Sequence, residues 1–417
     1  MKTVRVGSSL TRKTPEVGSY GLRSARDGMV QGRIRTAVDE DLPAIVALHT
    51  KIYPHSASGS RERRVAYLTN ILLQHPWRTE RFPSLVYEDV SGEVTGLLGV
   101  MPRPMRLHGD PMWMAISHNY MVAPDSRSAL VSVRLAQAFF RGSQTLCVCQ
   151  PQDMTALKIA RACGASLARL YSFMWVRPLR PAAYVAERLQ ERCGSPTLWR
   201  LLVPLCRLLD AGVRRCGHWS FQLPEQRHVV EDLTVETLLE CLLDFSSRRT
   251  LRPEYDVPAL SWLIAVAKAK TRYGKLRVRR VRKDSGHVIG YYLYYANRDG
   301  VSYVLQVVAH PDSVGVVLDE LAREAWEGGA VALCGPFDPY YAEELAAKAL
   351  YIKYDYRAPV QIHSTNPAVD CALASGNAFL SPLEREWALW CHDAGEQKDS
   401  VGGGKNLYDG HENSTRR

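Results

Sequence analysis

The chain has 417 residues, 46% of them apolar and 23% charged, which describes folded protein with room for two or three domains and argues against a disordered chain. Its formal net charge of +10 favours anionic partners in general, a nucleotide cofactor, RNA or an anionic membrane surface, without choosing among them. Ten cysteines without two matched Cys-x-x-Cys pairs argue against a disulfide scaffold and a structural zinc site, and no apolar run is long enough to span a bilayer.

Residues 1–31 are polar and basic and read as a mobile arm; lacking an apolar stretch, they are no signal peptide, so a cytoplasmic protein is expected. The body opens with a strand at 33–37 (RIRTA). A helix follows over DEDLPAIVALHTKIY, with Asp39 as its cap, and a second helix over about 60–74. SLVYEDV (84–90) and EVTGLLGVMPRPMRLHG (93–109) form a hairpin around Ser91-Gly92, and MWMAISHNYMVA (112–123) adds a strand. Then come a helix (127–141), a strand (145–150), a helix (about 153–163) and a strand (170–179). The pattern predicts an α/β fold, with mixed α+β sheets and helices on their faces.

Residues 180–227 read as a helical bridge. Arg200, Arg207 and Arg214 recur every seven residues opposite Leu202, Leu205 and Leu209, so 198–215 is either a helix packed between domains or, less favoured, a peripheral membrane contact. Beyond it the chain echoes itself. MVAPDSRSALVSVRLAQAFFRGSQTLCVCQPQD (121–153) matches VVAHPDSVGVVLDELAREAWEGGAVALCGPFD (307–338) in its Pro-Asp-Ser turn, the helix after it and the Cys-ended strand. Two copies of one α/β unit are therefore expected, at 32–179 and 228–393, followed by a tail at 394–417. In GNAFLSPLEREWALW (376–390), Phe379, Leu380 and Leu383 are read as closing a core, with Trp387 and Trp390 on one helical face and Glu384 or Glu386 toward a groove. The helix around Trp262 reads as packing.

The strand–turn–helix at 118–140 presents unpaired N–H groups and a positive dipole end, which suit a pyrophosphate; Arg127, Ser128 and Ser132 can add contacts, while Leu130 crowds the approach. The order of elements over 33–179, with Met121-Val-Ala-Pro-Asp-Ser-Arg127 approaching the motif Val-x-Pro-x-x-Arg, resembles the GNAT (Gcn5-related) N-acyltransferase superfamily. The resemblance implies two tandem GNAT-like domains, the second degenerate, and acetyl-CoA or another acyl-CoA as donor. It implies pantetheine contacts from Met121 and Val122 and a pyrophosphate loop over Arg127, Ser128, Ala129, Leu130 and Ser132. The chain departs from the motif in having no glycine in that loop, Ala160 where a tyrosine often serves as general acid, and Ala165 in place of a phenylalanine. Tandem GNAT-like chains also resemble Fem-type ligases and exopolysaccharide-cluster acyltransferase-like proteins.

Acylation of an amine needs a neutral nucleophile, a polarised thioester carbonyl and a protonated leaving thiolate. The candidate catalytic residues are His118 and Tyr120 on the strand before the turn, Glu88 on the hairpin and Tyr171 as a replacement acid, with the Val122 N–H polarising the carbonyl. No metal is expected. The basic run KLRVRRVRK (275–283), with tyrosines at 291, 292, 294 and 295, is an RNA-facing candidate less favoured than a solvated edge strand. The sequence thus points to a CoA-dependent N-acyltransferase acting on a small-molecule or peptide amine. The alternatives are an aminoacyl-tRNA-dependent transferase and a non-catalytic binding protein.

Overall fold

The computed structural model describes residues 32–54, 60–124, 129–193, 205–206, 208–212, 228–348, 351–355 and 359–385. In the first half the elements run β1 (Arg33–Thr36), α1 (Leu42–Ile52), α2 (Arg61–Leu68), β2 (Leu85–Glu88), β3 (Val94–Leu107) and β4 (Asp110–Val122). They continue with α3 (Ala129–Phe140), β5 (Leu146–Cys149), α4 (Met154–Ala162), β6 (Ser166–Leu167), β7 (Phe173–Pro178) and α5 (Pro181–Cys193). The second half follows a parallel order: β8 (Val229–Asp232), α6 (Val235–Ser246), β9 (Leu251–Pro253), α7 (Val257–Lys268), β10 (Lys275–Arg282), β11 (Val288–Ala296) and β12 (Val301–Ala309). It ends with α8 (Val314–Glu327), β13 (Ala332–Pro336), α9 (Ala342–Lys348), β14 (Tyr351–Tyr354), β15 (Gln361–Ser364) and α10 (Pro367–Ala374).

Two mixed sheets result. The first has the order β1-β2-β3-β4-β5-β15-β6, with β9 paired to the far end of β3; the second has β8-β10-β11-β12-β13-β7-β14. Within each, one pair near the centre is parallel, β4 with β5 and β12 with β13. The last strand of each half is exchanged. The stretch at 170–179, expected to close the first sheet, instead lies between β13 and β14, and β15 takes the place it leaves between β5 and β6. A cut at residue 179 therefore does not separate the sheets, and residues 32–417 form one unit. The sheets also share a core: Met101, Met114 and Ile116 of the first lie in one apolar cluster with Leu260 and Leu263 of α7, Leu293 of β11 and Phe379.

Local chemistry explains several departures from the expected elements. Asp41, rather than Asp39, precedes α1; its carboxylate accepts the Val38 N–H at 2.9 Å and binds Arg35 at 2.7 Å, while Asp39 pairs with Arg78. The helix expected over 60–74 is regular only to Leu68 and widens into a π-type turn at Thr69–Leu73. Three arginines of the basic strand β10 are paired within the fold: Arg279 binds Asp232 and Glu324 at 2.6 and 2.9 Å, and Arg280 and Arg282 share Glu231 at 2.7 and 2.5 Å. Tyr291, Tyr292, Tyr294 and Tyr295 are all buried, so none offers a stacking face for a base.

In the bridge, Arg200, Arg207, Arg214 and Leu202 lie outside the described residues, as do Glu386, Trp387 and Trp390. Phe379, Leu380 and Leu383 are buried in the shared core as expected. Trp262 donates its indole N–H to Asn70 at 2.9 Å. Among the described residues no helix is long and apolar enough to cross a membrane.

Candidate functional site

β4 and β5 pair over only Met114↔Leu146, Ala115↔Cys147 and Ile116↔Val148, yet β4 runs on to Val122. Where pairing stops the strands separate, and a cleft of about 150 Å³ opens between them. Ser117, His118, Asn119 and Tyr120 form its β4 wall; Phe139 of α3 and Ala156 of α4 are on the other side. The separation leaves that edge of β4 without a β5 ladder.

A bulge shapes this wall. Gly99 pairs with His118 but Leu97 pairs with Met121, so β4 carries one residue more than β3 between those pairs. Asn119 sits there with φ 46°, a left-handed conformation that asparagine tolerates better than most residues. Because of the bulge, His118 and Tyr120 do not simply share the face that strict alternation assigns them, although both reach the cleft. Gly99 is required opposite: a β-carbon there would lie 2.5 Å from the His118 ring.

His118 is 1% exposed, and burial, reinforced by the charges of His75 and Arg103, pushes its pKa down to about 3. It is neutral at ordinary pH. Its Nδ1 accepts from the Asn119 side-chain amide at 3.0 Å, which leaves the proton on Nε2, and Nε2 has no protein partner. Asn119 is itself held by the Tyr67 hydroxyl. In this tautomer His118 offers a hydrogen-bond donor, not a base.

The other expected site residues are distributed as follows. The Tyr120 hydroxyl donates to the Ser132 carbonyl at 2.6 Å, tying β4 to the first turns of α3, and burial raises its pKa. Met121 and Val122 bury their side chains, 2% and 8% exposed, so neither side chain is open to a ligand. Leu130 is 48% exposed and points away from the core, while Arg127, Ser128 and the side chain of Ala129 lie outside the described residues. Glu88 is far from the cleft, at the β1 edge. It is held by Arg35 at 2.5 Å and Arg33 at 3.0 Å, and Arg35 above all lowers its pKa. Tyr171 is buried away from the cleft as well: its hydroxyl donates to the Ala378 carbonyl at 3.0 Å and accepts the Ala378 N–H at 3.1 Å. Ala160 does line the cleft.

The equivalent place in the second half is closed. β12 and β13 pair from Val301↔Ala332 to Tyr303↔Cys334, and β12 bulges at Leu305, the position matching Asn119 in the repeat. Here, though, the Tyr341 hydroxyl donates to the Ala309 carbonyl at 2.7 Å and accepts the Ala309 N–H at 3.1 Å. Phe379 and Leu380 fill the remaining space, leaving a cavity of about 30 Å³. That holds little more than water.

Sequence reasoning missed a buried polar group behind His118. Arg103 of β3 is 2% exposed, and none of its three guanidinium nitrogens has a protein partner; it stacks on Trp77 at 3.9 Å. His75, 5% exposed, has an unpartnered Nδ1. Glu384, fully buried, accepts from Tyr255, Gln306 and Ser381 at 2.6, 3.0 and 2.8 Å, and burial raises its pKa. An arginine inside an apolar strand, VMPRPM, was the one sequence signal for this group. Asn119 was legible only as a residue type that accepts positive φ. Among the described residues no cluster of three metal-ligating side chains occurs. The described cysteines are free thiols, and burial pushes Cys147 up to about 11.

No family model matches the chain, and no curated protein matches its sequence. Solved structures do resemble it. A conserved protein from Enterococcus faecalis V583, described as "Probable N-Acyltransferase", superposes with a TM-score of 0.51 at 10% identity, covering 80% of this chain and 72% of that one. A GCN5-related N-acetyltransferase from Anabaena variabilis gives 0.53 at 12% identity, covering 81% and 74%. With its bulged fourth strand and its parted parallel pair, the chain has the GNAT fold.

Proposed function

We propose that this protein transfers an acyl group from an acyl-CoA to an amine, with the donor held in the cleft of the first half. The single observation that carries the reading is the parting of β4 from β5 after Ile116↔Val148, beside a bulge and next to the start of α3. A β-strand edge without a ladder offers N–H and C=O groups to the amides of a pantetheine arm. The wall opposite is built partly of small residues, Ala136, Ala156 and Ala160, which leaves width for the arm. The likeness to N-acyltransferase structures supports the same choice.

Bound acyl-CoA would supply an activated thioester: the amine nitrogen forms the new C–N bond, the C–S bond breaks, and the proton lost by the amine balances the departing thiol. The residues present define what the protein contributes. The Nε2–H of His118 is a preorganised donor for a developing oxyanion, and a neutral imidazole suits that role. Asn119 fixes its tautomer and Tyr67 fixes Asn119. Tyr120, bound to the Ser132 carbonyl, positions α3 against β4.

Calorimetric titration of the full chain with CoA and acetyl-CoA tests the reading, with Ala156→Trp as a variant that fills the cleft from α4. Binding by the wild type and its loss in the variant are expected. Absence of binding to the wild type, checked by thermal shift in case the enthalpy is near zero, would sink it.

A further inference from the structure

Arg103, His75 and His118 each bury at least one nitrogen without a protein hydrogen-bond partner, on the side of the first sheet that turns toward the second half. Gly99, Met101 and Arg103 share that face of β3 by alternation, and the His118 ring rests on Gly99. Arg103 lies on Trp77; Trp77 and His75 both make edge contacts with Trp262, at 5.9 and 6.5 Å between ring centres. Burial foremost opposes protonation of both His118 and His75, and the Arg103 charge adds to each shift.

Two openings reach the two histidines of this group, while Arg103 lies behind them and lines neither. His118 lines the cleft between β4 and β5. His75 lines a second cavity, of about 280 Å³, beside Val100 of β3 and Leu42 of α1. A buried guanidinium with no hydrogen bond to protein is unfavourable, and stacking on an indole offsets only part of that cost. The nearby carboxylate does not resolve it: Glu384 is occupied by Tyr255, Gln306 and Ser381 and makes no ion pair with Arg103. The arrangement is complete once a planar anion joins the group, because a carboxylate accepts two parallel bonds from a guanidinium and further bonds from imidazole N–H groups.

We infer that Arg103, with His75, forms a carboxylate-binding site for the acceptor, so that the amine acylated at His118 belongs to an amino-acid-like molecule. The inference rests on the acyl-transfer reading for the identity of the ligand as acceptor. The site itself stands on the unpartnered guanidinium.

N-acetylglycine and N-acetylglycinamide are matched probes, alike except for the carboxylate. Thermal unfolding of the full chain with each, for the wild type, Arg103→Met and Arg103→Lys, reads the site without turnover. N-acetylglycine is expected to raise the unfolding temperature of the wild type more than the amide does. Its apparent affinity should fall about tenfold or more in Arg103→Met and less in Arg103→Lys. Arg103→Met replaces an unpaired charge by an apolar chain of similar length, so the fold should tolerate it. Equal responses to acid and amide, an unchanged response in Arg103→Met, or no response to either probe would each overturn the site; in the last case buried water alone satisfies the guanidinium. Succinyl-CoA binding more tightly than acetyl-CoA, with the difference lost in Arg103→Met, would put the carboxylate on the acyl group and overturn the acceptor assignment. Failure of acetyl-CoA to bind while acid is still preferred over amide would sink the acyl-transfer reading and leave the anion site standing.

Discussion

The His118 imidazole lies against Gly99 across the β3–β4 ladder so closely that a β-carbon at Gly99 would stand 2.5 Å from it. The position of the ring, and hence of its Nε2 donor, depends on the absence of a side chain one strand away. Gly99→Ala is expected to displace the ring, destabilise the fold by about 1–3 kcal/mol as overpacked cores do, and lower acyl transfer more than acetyl-CoA affinity. Denaturant unfolding and steady-state kinetics on the same preparation separate these effects.

Both buried histidines should make the protein acid-sensitive. Burial foremost pushes His118 and His75 from 6.5 to about 3, with Arg103 and Arg78 adding to the shift of His75. The unfolded chain therefore takes up protons at these positions before the native protein does. They contribute no pH dependence above about 6.5; below it, stability falls by up to about 1.4 kcal/mol per pH unit for each histidine until the native groups titrate near pH 3. His118→Gln and His75→Gln should each flatten the slope of unfolding free energy between about pH 6 and pH 5 by about one proton. An unchanged slope in both variants would show that these rings are not held neutral in the native state.

Tyr341 closes in the second half the place that stays open in the first. One acetyl-CoA per chain is expected in a calorimetric titration. Tyr341→Phe removes two hydrogen bonds to Ala309 and should cost about 1–3 kcal/mol in stability without adding a second binding event, because Phe379 and Leu380 still fill the space. A stoichiometry of two for the wild type would contradict this.

The exchange of β7 and β15 predicts that neither half folds alone. A fragment ending at residue 193 lacks the strand between β5 and β6 and exposes β7, while one beginning at 228 lacks the strand between β13 and β14. Expressed separately, both should aggregate or stay unfolded; expressed together, they should form a soluble heterodimer with the circular dichroism of the intact chain. A soluble, cooperatively unfolding first fragment would count against the interlocked arrangement.

Much of this protein was determined locally. Helical and alternating patterns marked α1, α3, α4 and α8 and the hairpin β2–β3, because those periodicities follow from the geometry of one element on a half-buried surface. The two Pro-Asp-Ser turns disclosed the repeat, and with it the GNAT-like order of strands and helices. The tertiary structure alone decided which sheet β7 joins, since its apolar alternation suits either and the choice rests on partners far away in the chain. It also decided the candidate site. Glu88 became an edge ion pair because Arg33 and Arg35 face it across β1, and Tyr171 was drawn to the backbone of Ala378. The bulge at Asn119 and the unpartnered Arg103 likewise depend on register and burial, which arise only when strands distant in sequence meet.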